Sequence, residues 1–319
     1  MQPASQRESG LEAAFRADRA YLVGLCYRLT GTAADAEEIV QETFARALAR
    51  PPADTERPWR PWLVRVAVRL ALDALRKRRR RRYPGPWLPG VVAGDDPLAA
   101  ASADTPEQRY ALRESASVAF LLALEVLRPA PRAALILCDA FGYGAREAAE
   151  AIGTSEGNAR VLLHRARRAL ATRGRRPATG ELALRTRRSL EELLRCLAAQ
   201  DVAGVERLLA ADVRALTDGG GEFAALPETL AGRERVARLL LRVARRRAPG
   251  ARVAIARVNG LPAAAIEYAR SVGRQAPRVL LRCEVAPGGE IEEIHWIAAP
   301  RKLAGVRDLF PAPAPASPA

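Results

Sequence analysis

Lysine is nearly absent from this 319-residue chain. It occurs only at Lys77 and Lys302, although Lys and Arg together number 51. The basic charge is therefore almost all arginine, and it outweighs the acids enough to leave a formal net charge of +15 and a pI near 10.8. Such an excess attracts a polyanion: nucleic acid, an acidic membrane or an acidic protein. Arginine in place of lysine is a compositional bias and says nothing about function. Histidine is almost as scarce, at His164 and His295, and the four cysteines, Cys26, Cys138, Cys196 and Cys283, are far apart with no CxxC pair. These absences argue against a metal site and a disulfide framework, so the cysteines are expected to be reduced core thiols and no cofactor is expected. No stretch approaches the roughly 18–20 uncharged apolar residues of a membrane span. The first ten residues, MQPASQRESG, lack the charged-then-apolar order of a signal peptide. The expectation is a cytoplasmic protein with no membrane partner.

What is present is a globular composition, 49% hydrophobic, in a chain long enough for two or three domains. Helical periodicity fills 10–83 and closes on a basic run. A Pro/Gly/Ala-rich linker follows at 84–106, and helical periodicity resumes over 107–174. After the break at RGRRPATG, residues 180–305 read as an α+β unit. Its helices are predicted from Glu181 to about Ala210 and near 232–247, followed by a meander of short strands, ARVAIARV, AAAIEYAR, RVLLRCEVA and EIEEIHWIA. Residues 306–319, ending in PAPAPASPA, are low in complexity and are expected to be disordered.

Two segments of the first block carry charge in an ordered way. In DAEEIVQETFARAL (35–48), Val40, Phe44 and Ala47/Leu48 fall on one helical face while Asp35, Glu38 and Glu42 fall on another. DNA would repel that acidic face, which suits a basic protein partner instead. In WLVRVAVRLALDALRKRRRRR (62–82), apolar residues surround the helix except for a stripe at Arg65, Arg69, Asp73, Arg76 and Arg80. Seven consecutive basic residues, Arg76 to Arg82, extend it and match phosphate neutralisation. Trp59 and Trp62 precede the stripe, where aromatic rings could stack on unpaired bases or simply fill the core.

The second block has the layout of a helix-turn-helix. In AREAAEAIGTSEGNARVLLHRARRAL (145–170) a short helix ends at Gly153, suited to the positive φ of a tight turn, and Thr154 or Ser155 can cap the next helix. Val161, Leu162, Ala166, Ala169 and Leu170 are assigned to its core. Ser155, Asn158, Arg160, His164, Arg165 and Arg167 are assigned to its outer face, with Arg168 beside them. Asn and Arg make bidentate contacts to bases in a major groove.

These residues resemble the extracytoplasmic-function (ECF) sigma factors of bacterial RNA polymerase. The match runs through YRLTGTAADAEEIVQETFARAL (27–48), RPWLVRVAVRLALDALRKRRRR (60–81) and residues 118–170. The resemblance implies a σ2 domain over 10–83 and a helix-turn-helix σ4 domain over 107–174. It implies docking on core RNA polymerase through Asp35, Glu38, Val40, Gln41, Glu42 and Phe44. It also implies minus-ten contacts through Trp59, Trp62 and the arginine stripe, and minus-35 contacts through 155–170. Where related sequences carry Asn in VAxNLALDxLR, this chain has Arg69.

PWLP (86–89), DGGG (218–221), GRERVARLLL (232–241) and RKLAGV (301–306) further resemble the subgroup with a fused SnoaL-like domain of the nuclear-transport-factor-2-like fold. There the appended cone is thought to regulate the sigma part in cis. The subgroup's NPxKL appears as APRKL (299–303). A regulatory contact is expected between Trp87, Leu88 and Pro89 on one side and Asp218, Gly219, Gly220 and Gly221 on the other. A cone of this kind has room for a small-molecule ligand. The alternative reading, an isomerase or cyclase on a DNA tether, would need an acid–base residue inside the cone. Asp218, Glu267, Glu284 and His295 are the candidates, with His295 read as structural, and no catalytic residue is assigned.

Overall fold

The computed structural model describes residues 4–52, 54, 57–81, 83–94, 112, 114–171, 179–247 and 249–310. The chain divides into two compact units, Met1–Arg82 with Asp96–Pro177, and Tyr83–Asp95 with Ala178–Ala319. The second set of bounds differs from the sequence reading in a way that matters. Part of the expected linker, Tyr83–Asp95, clusters with the C-terminal unit, while the rest of it lies outside the described residues. The proposed boundary at 173–180 falls largely outside them too.

The first unit is all helical. It contains α1 (Ala4–Thr30), α2 (Ala33–Ala49), α3 (Arg60–Arg80), α4 (Val118–Ala123), α5 (Pro129–Leu135), α6 (Ala145–Ile152) and α7 (Glu156–Ala171). A 3₁₀ turn at Leu124–Val126 and a π turn at Ile136–Ala140 extend α4 and α5. Thr32 starts α2 by accepting from the Asp35 amide at 3.1 Å. Gly153 ends α6 at φ +82°, the left-handed conformation the turn requires.

Buried arginines hold these helices together. Arg28 on α1 donates to Ser115 Oγ at 2.7 Å and to the carbonyls of Gly24 and Leu112, both at 2.9 Å. Glu125 accepts a bidentate pair from Arg78 on α3 at 2.7 and 2.8 Å and a third bond from Arg132 on α5 at 2.5 Å. Burial pushes the Arg132 guanidinium down to about 10, against the pull of Glu125. The helical blocks read as two domains in sequence thus share one ionic network, with Arg132 buried and Arg78 and Glu125 half-buried.

In the second unit α8 (Gly180–Ala199), α9 (Val202–Leu208) and α10 (Arg233–Arg247) pack on a six-stranded sheet. The strands are β1 (Leu209–Asp218), β2 (Leu230–Ala231), β3 (Arg252–Val258), β4 (Leu261–Glu267), β5 (Arg278–Val285) and β6 (Ile291–Ile297), in the order β2-β1-β6-β5-β4-β3. The α+β cone expected at the C-terminus is the architecture observed. Strand β1 is a correction, because the helical reading ran on to Ala210. LAADVRALTD is rich in helix formers, yet it pairs parallel with β6 and sends Val213 and Ala215 into the core. Here pairing overrides propensity.

Simple in–out alternation does not hold along EIEEIHWIA. A bulge opposite Glu284/Val285 turns Ile291 to the same helix-facing core as Ile294. The tail begins later than expected, since Val306 and Phe310 are buried around a 3₁₀ turn at Arg307–Leu309. Residues 311–319 lie outside the described residues.

Breaking a buried ion pair leaves an uncompensated charge. Glu125→Ala should therefore lower stability by about 3–5 kcal/mol in urea unfolding. Arg46→Ala, which removes only an exposed pair with Glu42, should cost under about 0.5 kcal/mol.

Candidate nucleic-acid and docking surfaces

The outer face of α7 starts at its N-terminus. Ser155 Oγ accepts from the Asn158 amide at 3.3 Å, and the Asn158 side chain donates to Thr154 Oγ1 at 2.7 Å. Ala159, Ala166 and Leu170 are the buried side. Val161 and Ala169, assigned to the core from sequence, are exposed instead, and Val161 is 43% accessible. A rotation of 100° per residue puts Asn158, Val161, Arg165 and Arg168 together on the exposed side. Arg160 and Arg167, assigned to the same outer face from sequence, lie together on another side of the helix, engaged by Glu156 at 2.5 Å and by Asp139 at 2.5 Å. His164 is exposed beside it.

On α3 the stripe is as expected in direction. Arg69, Asp73, Arg76 and Arg80 are exposed and Arg65 is half-buried. Arg76 pairs with Asp73 at 2.7 Å. The basic run is not all available, since Arg78 belongs to the Glu125 network. Of the two tryptophans left open between stacking and packing, Trp59 is 7% exposed and sits in the core, while Trp62 is half-buried. The Arg69 guanidinium lies near the turn after α6, 3.8 Å from where a Cβ on Gly153 would sit.

On α2 the acids Glu38 and Glu42 and the amide Gln41 are exposed, and Asp35 is half-buried. Val40 and Phe44 are corrections too, because both are buried, at 1% and 8% exposure. The apolar part of the surface comes from Leu48, 65% exposed, and from Phe15 on α1, 43% exposed and edge-on to Phe44 at 4.9 Å. Sequence reasoning missed Phe15 because periodicity within α2 says nothing about which neighbour joins it.

In the second unit Asp218 is the convergence point. Its carboxylate, 1% exposed, accepts from the Tyr83 hydroxyl, from the Leu88 amide at 2.7 Å, from the Gly220 amide at 3.0 Å and from the Lys302 ammonium. The Lys302 ammonium stands 4.5 Å from both the Tyr83 and Trp87 rings, a cation–π cage. Backbone bonds then stitch 91–94 to the unit: Val91 to Lys302, Ala93 to Gly305 and Gly94 to Arg257. The glycines lie where side chains would collide. A Cβ on Gly220 would come within 2.8 Å of Ala299 and one on Gly221 within 3.2 Å of Pro84. The expected Trp87–Pro89 and Asp218–Gly221 segments are thus joined, and Tyr83 and Lys302 complete the site.

The cone holds a cavity of about 420 Å³ lined by Leu194, Leu240, Ile255, Ile266, Tyr268 and Trp296, with Glu191 among the few polar groups. Burial pushes the Tyr268 phenol up to about 12. The four acid–base candidates do not line the cavity. Asp218 is in the cluster above, and Glu267 bonds Arg252 and Arg278. Arg282 engages Glu284 at 2.7 Å and the His295 ring at 2.8 Å. The other nitrogen of His295 meets Glu293 at 2.9 Å. His295 is therefore a structural histidine. Burial would raise the Glu293 carboxyl, but His295 and Arg214 outweigh it and hold the group below the usual carboxylate range. Burial also pushes the thiols of Cys26 and Cys283 up, the latter to about 12, so both stay protonated and inert. Among the described residues no cluster of metal-binding side chains occurs and no helix is long and apolar enough to cross a membrane.

Two sigma-70 families match in the expected order, region 2 over residues 14–81 and region 4 over residues 117–170. The ECF RNA polymerase sigma factor SigJ of Mycobacterium tuberculosis is 39% identical over 244 residues, 74% of each chain. This chain belongs to the ECF RNA polymerase sigma factors. It is a promoter-recognising transcription initiation factor. A second relative, the probable ECF sigma factor SigI of Mycobacterium tuberculosis, is 38% identical over 158 residues, half of this sigma factor and 53% of the relative. The crystal structure of SigJ aligns with a TM-score of 0.67 at 33% identity, covering 92% of this sigma factor and 98% of that chain. The similarity thus extends beyond the helical unit into the C-terminal cone.

Asp218→Ala should strand the buried Leu88 amide and the Lys302 ammonium. The measurement is amide hydrogen exchange: protection at Leu88 and over 91–94 should drop by at least tenfold, while that of β4 and β5 holds.

Proposed function

We propose that this sigma factor docks on core RNA polymerase through the exposed side of α2, works on the minus-ten element along α3, and reads the minus-35 element with α7. The outer face of α7 carries the reading. Asn158, Val161, Arg165 and Arg168 form one exposed surface uninterrupted by an acid. That mixture suits major-groove readout, with Asn for adenine, Arg for guanine and Val against a thymine methyl. The docking side of α2 combines Glu38, Gln41 and Glu42 with Leu48 and Phe15, which suits a basic partner surface with an apolar centre. On α3, Arg65, Arg69, Arg76 and Arg80 supply phosphate contacts. With Arg69 in the Asn position of related sequences, the minus-ten base preference should differ from theirs.

The C-terminal unit acts in cis. It holds Tyr83–Gly94 through Asp218, and that segment lies in the chain between α3 and the helix-turn-helix. Capture or release of the segment changes how much chain is free to connect the two DNA-reading blocks. Run-off transcription with purified core enzyme, at promoters selected from a genomic library, tests the reading. The full chain should initiate, and Asn158→Ala or Arg165→Ala should reduce discrimination at the minus-35 position by about 1–3 kcal/mol. No initiation at any selected promoter would sink it.

The cavity favours a second reading, in which an apolar metabolite bound in the cone biases the hold on Tyr83–Gly94. Its apolar wall and the absence of the acid–base candidates fit sensing better than isomerase or cyclase chemistry. A binder at 100 times its Kd should stabilise the unit by about 2.7 kcal/mol, seen as a thermal shift. No shift across a panel of apolar metabolites counts against sensing.

A further inference from the structure

Helix α10 carries seven arginines, at 233, 235, 238, 242, 245, 246 and 247, against one acid, Glu234. Its inner side is built by Val236, Ala237, Leu240 and Leu241. Arg235, Arg238, Arg242, Arg245 and Arg246 are all exposed. At 100° per residue these five fall within a sector of about 100°, and at 1.5 Å per residue they run for about 16 Å along the helix.

The contrast with α8 in the same unit is informative. Three of the four arginines of α8 are compensated locally, Arg185 by Glu181 at 2.5 Å, Arg187 by Glu191 at 2.8 Å and Arg195 by Glu192 at 2.5 Å. On α10 Arg238 alone of the five has an acid, Glu234 at 3.4 Å. Among the described residues Arg235, Arg242, Arg245 and Arg246 make no ion pair. The spacings 238/242 and 242/246 place like charges one turn apart, which opposes helix formation. A generally arginine-rich composition does not explain why one helix is paired and the other is not.

We propose that the exposed face of α10 is a third DNA contact of this sigma factor, binding the sugar–phosphate backbone of duplex DNA without reading sequence. Charge complementarity supports the choice. The stripe holds five positive groups along about 16 Å, and one DNA strand places a phosphate every 3.4 Å along its axis. The face has no aromatic side chain for stacking on unpaired bases and no apolar side chain at its centre, with half-buried Leu239 just outside its edge, so a backbone contact on a duplex fits better than a single strand or a bilayer. The inference goes beyond the promoter-reading assignment, since it concerns affinity for any duplex.

The test uses the full chain and a 30-base-pair duplex of random sequence, followed by fluorescence anisotropy from 50 to 300 mM salt. Replacing Arg235, Arg242, Arg245 and Arg246 together by Gln should reduce the slope of log affinity against log salt by about 3–4 units, since each phosphate contact contributes about 0.9. The matching four Arg→Lys changes should leave the slope within one unit of the parent, which separates charge from fold. A Gln variant with the parental slope overturns the proposal, as does a parent chain that binds phosphatidylglycerol vesicles more tightly than the duplex at equal salt. Failure of the promoter-reading assignment looks different: the Asn158→Ala variant would keep the parental ratio of promoter to random-duplex affinity.

Discussion

The Asp218 carboxylate is almost cut off from water, and a buried charge has to be bonded and neutralised inside the protein. Tyr83, Leu88 and Lys302 come from sequence positions 135, 130 and 84 residues away to do this. That one demand fixes the end of β1, brings the segment after α3 onto the cone and positions the turn that follows β6. The glycines after Asp218 serve the same purpose, because Ala299 and Pro84 approach too closely for side chains there. A segment that composition marks as a spacer is structural as a result.

Burial also divides the arginines into two populations. Arg28 and Arg132 lie inside the helical unit and Arg78 is half-buried beside them, with Ser115, Glu125 and backbone carbonyls as partners. Arg132, almost fully buried, is held by its ion pair with Glu125. The arginines on α3, α7 and α10 that remain exposed carry positive charge to the surface. Net charge gives the total of these populations and not their division.

Much of the architecture was legible. The glycine at 153, the cap that follows it and the meander after 250 are local patterns, and local patterns survive folding. Strand β1 was not legible, because LAADVRALTD has helix-forming composition and becomes a strand only when β6 pairs with it. Val40 and Phe44 were given to a docking surface and Val161 to the core, and Trp59 was left open between stacking and packing. In each case periodicity identified a face, while a neighbouring helix decided whether that face was covered.

The sequence by itself determined the family-bearing motifs, the order of the helical blocks and the α+β region, and the sign of the partner. Each of these depends on residue type and short spacing. Tertiary structure alone decided which charges are exposed, which aromatics are buried and where the chain between α3 and the helix-turn-helix is held. Those outcomes depend on groups far apart in sequence sharing one low-dielectric site, and spacing along the chain does not record that. The acid–base candidates of the cone illustrate the difference: their identities were plain, but only the fold put them in ion pairs outside the cavity.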